Sequence, residues 1–129
     1  MLSTRDLSKV LYPELSYKIC GLCFEIHNKL GRFLNEKQYT DALEQLLIRD
    51  KVIYVRETAL ARSFEGEKAR RNIPDFVIDN TVIVDLKAKR LITKDDYFQM
   101  RRYLASSNKR LGIIVNFRPK YLTPKRVAN

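Results

Sequence analysis

Ile73-Pro74-Asp75-Phe76-Val77-Ile78-Asp79-Asn80-Thr81-Val82-Ile83-Val84-Asp85-Leu86-Lys87 contains two β-branched apolar runs, Pro74–Ile78 and Thr81–Leu86, around the turn residues Asp79-Asn80. Charged side chains are rare in buried strands unless paired or bound to a metal. Yet Asp85 and Lys87 end the more apolar run. Residues two apart on a strand share a face, so this carboxylate and this ammonium point the same way. Alone, an Asp-x-Lys step reads as a salt bridge at a strand end. Asp75 changes that reading, because a second carboxylate on the neighbouring strand makes a hard, oxygen-lined site of the kind Mg²⁺ takes.

Strand parity decides whether the two carboxylates can meet. A two-residue turn at Asp79-Asn80 would pair Asp75 with Val84 and send Asp85 to the opposite face. A three-residue loop, Asp79-Asn80-Thr81, pairs Ile78 with Val82 and sets Asp75 opposite Asp85. Such loops commonly use a left-handed residue that Asn tolerates. The expectation is therefore the longer loop or an equivalent bulge, with Phe76, Ile78, Val82 and Val84 facing away from the acids.

Downstream, Lys94–Ala105 has helical spacing, with Thr93 and Asp96 placed as a capping box. Leu111–Phe117 reads as a fully buried strand. Upstream, Leu15–Leu30 is a helix stopped by Gly31, and Glu36–Arg49 a second one burying Tyr39, Leu43, Leu46 and Leu47. Lys51–Val55 and Thr58–Phe64 are short strand candidates. Glu36 lies in register with the buried stripe at the start of its helix. It is a candidate third carboxylate, although the helix dipole alone would favour an acid there.

The net charge of +10 is unevenly placed. Residues 1–86 carry 13 Lys/Arg and 13 Asp/Glu, whereas residues 87–129 carry 12 Lys/Arg against Asp95 and Asp96. A basic excess confined to one third of the chain suits a polyanion partner. Cys20 and Cys23 sit inside a helical pattern, and two cysteines cannot complete a structural zinc site, so they read as buried apolar residues. His27 reads as a helix residue rather than a ligand. With 129 residues and 45% hydrophobic content, one domain spanning residues 1–129 is expected. No apolar run approaches the roughly 20 residues of a membrane span, and Met1–Val10 has no apolar leader core. The expectation is a soluble, cytoplasmic protein without a membrane partner.

Taken together, these residues resemble a known family. Pro74-Asp75 followed by Asp85-Leu86-Lys87 is similar to the signature of the PD-(D/E)XK nucleases. Glu36-x-x-Tyr39 after Leu30-Gly31, with Ala42-Leu43-Glu44 following, resembles the GxxExxY branch, whose naming glycine would fall at Phe33. Gln99-x-x-x-Tyr103 resembles the QxxxY motif of RecB-type nucleases, and the Gly112–Phe117 strand resembles the branch's C-terminal strand. The likeness covers about Leu15 to Val127.

The resemblance implies an α/β fold of the restriction-endonuclease-like type, a mixed central sheet flanked by helices on both sides. It implies a metal-dependent nuclease acting on nucleic acid, most readily DNA, with Mg²⁺ or Mn²⁺ as cofactor. Asp75 and Asp85 would hold the ion, and Glu36 would bind it directly, through water, or take a second ion. Lys87 would orient or deprotonate the attacking water, or stabilise developing charge. Gln99 and Tyr103 would position the strand, and Arg101, Arg102, Lys109 and Arg110 would contact phosphates. A symmetric homodimer presenting two sites is a further expectation. Two other readings compete: a non-catalytic nucleic-acid-binding module on the same fold, and a structural partner with a buried salt-bridge network. The intact acids and lysine argue against the first, and the basic last third against the second.

Overall fold

A computed structural model describes residues 11–129; Met1–Val10, where the absence of a leader was expected, lies outside them. Helix α1 (Pro13–Leu30) starts two residues earlier than its apolar period, with proline in its first turn, where a missing N–H costs nothing. It stops at Gly31, at φ +77°. Helix α2 (Glu36–Arg49) has the expected limits and a reciprocal cap between Asn35 and Gln38.

Five strands follow: β1 (Tyr54–Arg56), β2 (Phe76–Ile78), β3 (Val82–Lys87), β4 (Leu111–Asn116) and β5 (Lys125–Ala128), with helix α3 (Lys94–Ser107) between β3 and β4. They form one sheet in chain order, antiparallel except for the parallel pair β3–β4 that α3 connects.

Two expectations need correcting. Thr58–Phe64 is not a strand. Of its apolar side chains only Leu60 packs against a core, and the Leu60 N–H donates to the Asn72 carbonyl at 2.8 Å without a ladder forming. Strand β5 was not foreseen, because only Val127 of its four residues is buried and Lys125 and Arg126 are exposed.

The sheet sorts its side chains by parity. Phe76, Ile78, Val82, Val84 and Leu86 join Ile113, Val115 and Phe117 under α1 and α2. Val77, Ile83, Ile114 and Val127 face the other way and pack on Met100, Tyr103 and Leu104 of α3. Helices therefore cover both faces of a mixed sheet, the expected α/β architecture. Gly112 lets α3 approach, since any Cβ there would collide with the Met100 side chain. Cys20 and Cys23 are free and buried as expected, and burial pushes the Cys23 thiol far up. No described helix is long and apolar enough to cross a membrane.

Candidate active site

The β2–β3 hairpin sets the site. Ile78 pairs with Val82, Val77 with Ile83 and Phe76 with Val84, which is the three-residue loop. Asp79 and Asn80 both take positive φ, and the Thr81 N–H closes onto the Ile78 carbonyl at 3.0 Å. One step further, the register sets Asp75 across from Asp85 on the α3 face. The contacts agree: Asp75 N–H donates to Asp85 Oδ1 at 2.9 Å, and Leu86 N–H donates to Asp75 Oδ2 at 2.7 Å.

One oxygen of each carboxylate is thereby occupied, while Asp75 Oδ1 and Asp85 Oδ2 accept no hydrogen bond among the described residues. Neither is a sealed orphan, since among the described residues the one fully buried side-chain polar atom without a hydrogen-bond partner is Arg56 Nε. Asp85 is only 5% exposed. Burial, then the charge of Asp75, pushes its carboxyl up to about 7, against the Asp75 N–H and the Lys87 charge. Asp75 is also raised, by burial first, with the Leu86 N–H and Lys87 opposing. Two facing acids that resist joint ionisation, each with a free oxygen, suit a hard divalent cation, which commonly takes one or two carboxylates and keeps its waters.

Lys87 stands 4.0 Å from Asp85 Oδ2 and 3.9 Å from Asp96 Oδ1, and donates to Gln99 Oε1 at 3.1 Å. Gln99 was expected to hold a nucleic-acid strand; in the structure its carbonyl oxygen accepts from the Lys87 ammonium. Tyr103 was expected on the same binding surface. It is 5% exposed, its hydroxyl donates to the Ile73 carbonyl at 3.2 Å, and it so braces the approach to Asp75.

Glu36 reaches the same end of the sheet from the opposite face. Tyr39, one turn along α2, stacks on Phe117 at 4.2 Å and 9°. The Phe117 N–H in turn bonds the Lys87 carbonyl at 2.9 Å. Burial raises the Glu36 carboxyl, Asp75 adds to this, and Lys87 and Lys89 oppose it. Even so, no three Asp, Glu, His or Cys side chains close around one point among the described residues. The compact donor pair is Asp75 and Asp85; Glu36 couples to it by charge rather than completing it, because it sits at a helix end and not on the hairpin.

The expected phosphate contacts divide. Arg101 and Arg102 are exposed on α3, in the turns that carry Gln99 and Tyr103. Lys109 and Arg110 precede β4, at the end of the sheet where the β2–β3 hairpin turns. Ile114, four residues into β4, is the residue that flanks Asp85, whereas the Lys109 ammonium binds the Asn80 carbonyl at 2.9 Å.

Sequence reasoning missed three neighbours. Asp96 caps Thr93 N–H at 2.7 Å and also pairs with Lys89 at 2.5 Å. Its cap pattern was legible, but its second role was not. Asn116 pins the Lys89 backbone through both ends of its amide, at 3.0 and 2.7 Å. Arg118 joins the Ala88 and Arg32 carbonyls, both at 3.2 Å.

The PD-(D/E)XK nuclease superfamily model matches residues 13–127, and the chain belongs to that superfamily. Among solved structures, SSO0001 superposes with a TM-score of 0.57 at 18% identity, covering 97% of this chain and 61% of that one. This chain thus spans less than two thirds of that protein's length. The alkaline exonuclease LHK-Exo from Laribacter hongkongensis superposes with a TM-score of 0.52 at 12% identity, covering 95% of this chain and 73% of its own. LHK-Exo in complex with dAMP gives a TM-score of 0.51. At these identities the likeness is one of fold. No curated protein sequence matches the chain.

Proposed function

We propose that this protein hydrolyses phosphodiester bonds in nucleic acid, with DNA favoured, using Mg²⁺ or Mn²⁺ held by Asp75 and Asp85. The observation that carries the reading is the facing pair of buried and half-buried carboxylates, each with one free oxygen, beside an ammonium steered by Gln99. When bound, a divalent cation supplies charge neutralisation on the phosphate and a more acidic water. Asp75 N–H and Leu86 N–H fix the two carboxylates, so their free oxygens are preorganised for it. Lys87, held between Gln99 and Asp85, orients the attacking water or meets the charge that develops on the phosphate. Glu36 biases the same end of the site by charge, through a water or a second ion. Exposed Arg101 and Arg102 receive the flanking phosphates.

Superfamily membership supports a nuclease, and the solved complex of LHK-Exo with dAMP favours DNA. In this reading the Glu36-x-x-Tyr39 spacing supports the GxxExxY branch, and the Gln99-x-x-x-Tyr103 spacing a RecB-like QxxxY motif. A binding module without catalysis is disfavoured, because a surface that only binds phosphates has no use for two acids paired in its midst.

The test is a panel of labelled single-stranded, duplex, flap and four-way DNAs, with matching RNAs. Cleavage is expected with Mg²⁺ or Mn²⁺, and none in EDTA. Lys87→Ala and Asp85→Ala should abolish it while retaining binding. Wild-type rates in both variants would refute the assignment.

A further inference from the structure

Phe33 stands where the GxxExxY pattern has its glycine, and it is 78% exposed. Its backbone is not in the left-handed region; Gly31 takes the positive φ of +77° two residues earlier. The loop therefore has no conformational need for glycine at this position and presents a bare aromatic ring instead.

Everything around that ring is tied down. Tyr39 Oη donates to the Gly31 carbonyl at 2.7 Å and accepts from the Leu34 N–H at 3.2 Å, fixing both flanks of the loop. Arg32 Nε donates to the Arg118 carbonyl at 2.7 Å, and Arg118 Nε returns a bond to the Arg32 carbonyl at 3.2 Å. The same Arg118 guanidinium bonds the Ala88 carbonyl through Nη2. Ala88 directly follows Lys87, so the loop bearing Phe33 is fastened to the strand end that carries the site. The Arg32 guanidinium lies 4.9 Å from the Phe33 ring centroid. The chain on the Arg118 side holds no Asp or Glu after Asp96.

A solvent-facing aromatic ring with a cation at its face, on a loop fastened through Arg118 to the strand end that carries Lys87, has the makings of a stacking platform for an unpaired base. We infer that Phe33 stacks on a nucleobase of single-stranded nucleic acid entering the site, which makes unpaired strands or frayed ends the preferred substrate. Arg32 contributes charge behind the ring, and Arg118 holds the platform at a set distance from Lys87. Paired bases in a duplex are already stacked and offer no free face. This inference rests on the nuclease reading above.

The chain has no tryptophan, so Phe33→Trp introduces a single reporter at the platform. In an Asp85→Asn background that cannot cut, a labelled single-stranded oligonucleotide and a blunt duplex of equal length are titrated by anisotropy. Phe33→Ala should weaken single-strand binding by about five-fold to about a hundredfold, the worth of one stacked base, and duplex binding by less than about two-fold. Phe33→Trp should retain affinity, with its emission quenched as the single strand saturates. Equal losses on both substrates, no loss on either, or unquenched emission at saturating oligonucleotide would overturn the platform. If the wild-type chain still cleaves with Mg²⁺ under any of those outcomes, the nuclease reading survives and stacking alone falls. A wild-type chain that neither binds nor cuts any nucleic acid overturns both.

Discussion

Replacing Asp85 by asparagine should make the metal-free protein more stable at pH 8 while abolishing cleavage. Asp85 is buried, faces Asp75, Glu36 and the Tyr103 hydroxyl, and has Lys87 as its nearest cation, 4.0 Å away. Its carboxyl is pushed from the ordinary 3.8 to about 7. An acid whose folded value lies above its unfolded one stabilises the fold fully below the unfolded value. That contribution is lost as pH rises toward the folded value. The gap corresponds to stabilisation on the order of 4 kcal/mol, reduced to a few kcal/mol by local relaxation and coupling to Asp75. Asparagine keeps an oxygen for the Asp75 N–H, now at 2.9 Å, and carries no charge. Urea unfolding in EDTA should therefore show the two proteins diverging between about pH 4 and pH 8, with Asp85→Asn ahead by a few kcal/mol at the upper end. Added Mg²⁺ should raise the wild-type midpoint, by mass action on the folded state, and leave the variant's unchanged. A stability difference that stays flat across this pH range, or an asparagine variant that is weaker at pH 8 in EDTA, would refute the reasoning.

Gln99→Ala frees Lys87 from the 3.1 Å bond that steers it, so kcat should fall while oligonucleotide affinity changes little; a pure affinity loss would mean that Gln99 touches the strand instead. Arg101→Ala with Arg102→Ala removes two exposed cations from α3 and should flatten the log–log salt dependence of duplex binding by up to about 1.8, with an unchanged slope counting against a phosphate role. Gly112→Ala places a methyl against Met100 in a filled core, so chemical denaturation should show a loss of about 1–3 kcal/mol, and no loss would mean that α3 moves away freely.

Local pattern alone determined much of this protein. Helices α1 and α2 follow from apolar spacing with a terminal glycine and an acidic start, and β3 and β4 from short apolar runs rich in Val and Ile. The facing of Asp75 and Asp85 was legible too, because side-chain parity turns one loop length into a yes-or-no answer. Tertiary structure decided what spacing cannot express. Gln99 and Tyr103 carry the expected motif, and α3, packed on the face of the sheet that bears Asp75 and Asp85, brings their polar ends to Lys87 and the Ile73 carbonyl. Lys109 and Arg110 belong to the basic third by count but to the far end of β4 by position, since charge composition has no direction along a strand. Glu36 shares its helix stripe with the core. How close it comes to the acids was left to the Tyr39–Phe117 stack, a contact between residues 78 positions apart. Such contacts are set by which faces are left to bury once the sheet has formed, and no local window of sequence contains that information.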